Sequence, residues 1–245
     1  MGKLVYREDK NLNFLKKIDN EKLDVLINII TKDKEGNLRD SEDLTLQEEY
    51  KKYHPNHQKY WYLIAADYQY FGGNTLVSIF RGKGVLYQEI LKDTCSSMKV
   101  NLPENASIET QERNLLLKVI ESSLEKMTDT EKEEFLKSLN LETSNLRTPV
   151  IMAALQGAIL GGGFYSYQLA VIIANSVAKA LMGQGLAFAA NATLTRGLAV
   201  FAGPIGWAIT GGLTAISLAG PAKRVTIPAT IYIASLRQSE LYNAS

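Results

Sequence analysis

An all-α chain with two unlike halves is what the sequence predicts, and three observations predict it. In residues 1–142 apolar side chains recur three and four apart, the spacing of one helical face. Clusters of Gly, Pro, Asn and Asp break these runs into short helices. From residue 143 to 239 there is no acidic side chain at all, and Ala and Gly take over. The expected architecture is a charged helical domain at 1–142, followed at 143–245 by a Gly/Ala-rich apolar helical hairpin and a short C-terminal helix.

In the first half, Leu12, Phe14, Leu15 and Ile18, then Leu23, Val25, Leu26, Ile29 and Ile30, predict two short helices. They break near Asp19, a candidate N-cap. Residues 32–43 read as a solvated loop, and a helix near 45–53 stops at His54-Pro55-Asn56. YWYLIAADYQYF (60–71) carries the aromatic nucleus of the core, burying Tyr60, Trp61, Leu63, Ile64, Tyr68 and Phe71 on one face. TLVSIF (75–80) and VLYQEILKDTC (85–95) are helical pieces separated by Arg81-Gly-Lys-Gly84. After the linker NLPENAS (101–107), an amphipathic helix spans about 107–126. Thr128 and Glu131 form a capping box that opens another helix to about Leu139.

Composition changes near residue 145. Residues 148–222 hold 17 Ala and 12 Gly in 75 positions, with Lys179 and Arg196 the sole charges. Small residues recur four apart at Ala153, Gly157 and Gly161; at Ala170, Ala174 and Ala178; and at Gly211, Ala215 and Ala219. On a helix such a stripe lets another backbone come close. Gly203, Gly206 and Trp207 belong to the same apolar segment. Windows 149–178 and 197–220 have the ~20-residue length of a membrane span, although Gln156, Ser166 and Gln168 interrupt the first. A hairpin of the two would put Arg147, Lys223 and Arg224 at one end, and Lys179 and Arg196 at the other. Pro228 lies in RVTIPATIYIASLR, so the last helix is expected to start there, with VTI extended before it.

The charge balance limits the function. Residues 1–142 carry 21 basic and 25 acidic side chains, and residues 143–245 carry 6 and 1, so the net +1 conceals an acidic front and a basic rear. No dense Lys/Arg face exists, which argues against nucleic acid as the partner; an anionic membrane surface is permitted. The single cysteine, Cys95, allows no internal disulfide and fits a reducing cytoplasm. MGKLVYREDKNLNF has no apolar run of signal-peptide length.

Chemistry-bearing motifs are sparse. His54 and His57 are the only histidines, three apart but with no third ligand nearby, so they read as a surface turn rather than a metal site. FGGNTLVSIFRGKG lacks the GxxxxGK[ST] order of a phosphate loop, and glycines at helix ends explain Gly72, Gly73, Gly82 and Gly84. Arg81 and Lys83, with Lys223 and Arg224, are left as candidate anion contacts. The carboxylates read as solvated helical faces. No catalytic, cofactor-binding or metal residue is assigned, and a non-enzymatic protein is expected.

LNFLKKIDNEKLDVLINIIT, YWYLIAADYQYFGGNTLVSIFRGKGVLYQEIL and RVTIPATIYIASLR together resemble the YaaW-type family of bacterial proteins, in order and over nearly the whole chain. The resemblance implies a bacterial, intracellular, non-secreted protein and supplies no catalytic residues. Two functional expectations follow. In one, the hairpin at about 148–222 associates with a membrane, peripherally or inserted in the inner membrane, or joins copies into a homo-oligomer. In the other, the hairpin is buried in its own core and the chain is a soluble assembly or chaperone-like factor for another protein.

Overall fold

In a computed structural model of the chain, the described residues are 4–33, 36–39, 43–73, 84–161, 163–182, 203–206 and 222–243. Among them every regular element is helical, and the one pairing of extended chain is an isolated bridge between Lys32 and Leu38. The chain divides into two compact units. One holds residues 1–97 and 216–230, the other residues 98–215 and 231–245. The compositional change near 143 lies within the second unit's residue range.

The first unit contains α1 (Asn20–Thr31), α2 (Glu48–Tyr53), α3 (Trp61–Gly72) and α4 (Tyr87–Ser97), with short 3-10 turns at Asn13–Lys17, Leu44–Leu46 and His57–Tyr60. α1 follows Asp19, whose extended backbone makes it the N-cap, although its side chain makes no capping bond. α3 packs against α1 and α4. Tyr60, Leu63, Ile64, Tyr68 and Phe71 are buried as their spacing predicts, and Trp61 is half-buried.

Two side chains fasten the N-terminal segment to this core. Asp9 accepts the amides of Asn11 at 2.8 Å and Tyr87 at 2.6 Å, so it satisfies one of the open donors at the start of α4. Gln69, fully buried on α3, accepts the Arg7 amide at 3.0 Å and donates to the Arg7 carbonyl at 2.8 Å. The chain at Gly84 runs so close to Gln69 that a Cβ there would sit 2.6 Å from the Gln69 Cβ. Gly84 is thus a close-approach glycine, and the helix-end explanation does not account for it.

The last helix, α9, runs Lys223–Asn243 and includes Pro228, so it starts a turn and a half earlier than the proline position suggests. Proline costs the helix one hydrogen bond, to the carbonyl of residue 224. Burial offsets this: Val225, Thr226 and Ile227, expected as extended chain, are each under 5% exposed. Thr226 also bonds back to the Ala222 carbonyl at 3.2 Å. Further along, Thr230 receives hydrogen bonds from Tyr68 at 2.8 Å and Thr94 at 3.2 Å, and donates to the Thr226 carbonyl at 2.6 Å. A buried hydroxyl cluster of this kind is complete only when all three partners are in register.

The second unit contains α5 (Ile108–Leu124), α6 (Asp129–Ser138), α7 (Thr148–Gly161), α8 (Gly163–Met182) and the C-terminal part of α9. Ser107 caps α5 by accepting the Thr110 amide, and Thr128 with Glu131 forms the complete capping box that opens α6. α5 packs against both α7 and α8. Only one residue separates α7 from α8, fewer than the two to five that an antiparallel helical turn uses. Both helices fall largely within the stretch expected as the hairpin's first arm. Most of its second arm, 197–220, lies outside the described residues.

No described helix is long and apolar enough to cross a membrane. α8 has the length, but Gln168, Asn175, Ser176 and Lys179 lie along it. Asn175 and Ser176 satisfy themselves on carbonyls one turn back, at 2.8 Å each, which lets them be buried in protein.

Candidate functional site: the outward face of α7

The two described small-residue stripes fall in opposite environments. On α8, Ala170, Ala174 and Ala178 are each under 5% exposed, so this stripe packs inside the second unit. On α7 the buried side chains are Ile151, Met152 and Leu155. The opposite face carries Ala153, Gln156, Gly157, Leu160 and Gly161, all exposed, and Phe164 follows on α8. Leu160 is 86% exposed and Phe164 46%. A Cβ at Gly157 or Gly161 would meet nothing within 4 Å, so none of the described residues requires glycine at either position.

The end of α9 borders this face with aromatic rings. Tyr242 stacks on Tyr167 with centroids 4.9 Å apart and lies 6.0 Å from Phe164. Leu241 and Tyr242 are 41% and 40% exposed. Residues 148–178 contain no charged side chain, so the face has no ionic feature to recognise a charged ligand. Of the second-arm residues, Gly203 is exposed in open space. Gly206 is buried, and a Cβ there would come within 2.9 Å of the Ala180 Cβ. That is the close backbone approach expected of small residues, seen once. Trp207, Gly211, Ala215 and Ala219 lie outside the described residues.

Of the four candidate anion contacts, Lys223 and Arg224 are among the described residues. Arg81 and Lys83 lie outside the described residues. Lys223 donates to Ser97 at 2.9 Å and pairs with Asp93 at 3.8 Å, while Arg224 is exposed.

The histidine turn is not a simple surface turn. His54 is exposed, but His57 is only 2% exposed and packs in the first unit. Its Nδ1 lies 2.6 Å from the Tyr60 hydroxyl and its Nε2 3.4 Å from Asp24. A carboxylate facing Nε2 favours the Nε2–H tautomer, which leaves Nδ1 to accept the Tyr60 proton. With both nitrogens so engaged, the ring has no lone pair left for a metal. The described residues contain no group of three or more ligand side chains that could hold one. The hydrogen bond from His57 holds the Asp24 carboxyl below the usual aspartate range, against the opposing effect of burial. Burial pushes the Tyr60 phenol well above its usual value, with Tyr50 and Asp24 adding to the effect.

Reading the carboxylates as solvated missed Glu112. It is fully buried on α5, 3.1 Å from the Arg237 Nε, and accepts from Gln238 at 3.0 Å. A signal existed in the sequence: Glu112 lies three, four and seven residues before Leu115, Leu116 and Val119, on the face those residues bury. Arg237 is its basic counterpart in a C-terminal segment otherwise short of charge.

Fold and site together define a class: an all-helical chain with no metal cluster among the described residues and an uncharged outward helix face. Residues 6–39 match the family model described as a domain of unknown function, DUF3944. A UPF0174 protein of Helicobacter pylori strain J99 is 45% identical over 235 residues, covering 96% of this chain and 93% of that protein. The UPF0174 protein YaaW of Escherichia coli K12 is 33% identical over 241 residues, covering 95% of each. The chain therefore belongs to the UPF0174 family, of which YaaW is a member. No solved structure matches it significantly.

Proposed function

We propose that this is a non-enzymatic bacterial protein that self-associates through the outward face of α7. The observation that carries the reading is the pair of glycines at 157 and 161. Glycine inside a helix costs about 0.8–1.0 kcal/mol relative to alanine, and here no described residue comes within 4 Å of a Cβ at either position. The compensation then comes from outside, from a second helix close enough that a Cβ would obstruct it. Lipid chains are fluid and need no such clearance, so the glycines favour a protein partner over a bilayer.

A second copy of this chain fits the face. In a two-fold contact each copy presents the same stripe, so the Leu160 of one can fill the groove left by Gly157 and Gly161 of the other. The stripe has no charge to repel its own copy. Its footprint is modest: the 14 residues of α7 at 1.5 Å rise and ~10 Å width give roughly 210 Å², well below the ~800 Å² per partner of a standard interface. The contact is therefore reversible unless Leu241, Tyr242 or further segments extend it. The buried Ala170–Ala174–Ala178 stripe supports the complementary role for α8, a helix serving its own core. The reading places the protein in the bacterial cytoplasm, with membrane contact, if any, peripheral.

Cysteine cross-linking of the full-length chain tests this. With Cys95 buried, Leu160→Cys should give a disulfide-linked dimer under mild oxidation, and Lys92→Cys on exposed α4 surface should not. Equal cross-linking at both sites would make the contact non-specific. Flotation of the unmodified protein with vesicles, rather than cross-linking, would move the face from a protein partner to lipid.

A further inference from the structure

We draw no further inference here: the strongest candidate, the buried Asp24–His57–Tyr60 cluster between α1 and the turn before α3, has both ring nitrogens of His57 engaged by protein groups and the Tyr60 side chain fully buried, and nothing in the structure shows what ligand it would serve.

Discussion

At the scale of single residues, partly buried polar groups make the stability depend on pH. Asp24 has a folded pKa below its ordinary value of 3.8. Its contribution is therefore complete above that value and is lost as the pH falls below it. Denaturant titrations at pH 7 and pH 3 should show a smaller loss for Asp24→Asn than for the wild type. Tyr6 works in the opposite direction: mainly through burial, its phenol is pushed up to about 12 from 10.0. The neutral form is the one the fold prefers, so its contribution holds below pH 10 and disappears as the pH rises from 10 to 12. Tyr60→Phe leaves Nδ1 of a buried histidine unpartnered, and should cost about 1–3 kcal/mol in the same titration. Glu112→Ala should cost more, about 3–5 kcal/mol, because it strands a charge on the largely buried Arg237. The double change Glu112→Leu with Arg237→Met removes both charges and should recover most of that loss.

At the scale of elements, glycine takes opposite signs in two places. Gly84→Ala should destabilise by about 1–3 kcal/mol, since the added methyl meets the immobile Gln69. Gly157→Ala should raise the thermal midpoint of the chain, because the methyl points into open space and alanine suits a helix better. The same change should weaken self-association. No purely internal role for Gly157 predicts that pairing of effects. The contrast also marks what the sequence made legible. Capping at Thr128 and periodicity at 108–124 are local signals, and the helices they predict are present. Gly84 could not be told from a helix-end glycine, since its constraint comes from a residue fifteen positions away. The start of α9 was misplaced for a similar reason: Pro228 is a local signal against a helix, while the burial of Val225 and Ile227 that overrides it is tertiary. His57 shows the same limit, because a histidine in a Pro-Asn turn reads as exposed until Asp24 and Tyr60 are seen to enclose it.

At the scale of the whole molecule, the apolar rear half was legible as a burial problem but not as its solution. Counting Ala and Gly from 148 to 222 could not show that one stripe serves the protein's own core while another faces outward. That difference depends on α5, whose Leu115, Leu116 and Val119 face gives α7 and α8 something to pack on. What remains outward on α7 is small, uncharged and bordered by Leu160 and Phe164, and the proposed function rests there. The most direct test is sedimentation equilibrium of the full-length protein over a wide concentration range, beside Leu160→Glu. The account predicts that the wild type forms a reversible dimer or larger assembly, and that Leu160→Glu is monomeric with unchanged helicity and melting temperature. A wild type that stays monomeric throughout, or a variant that associates equally well, would contradict it.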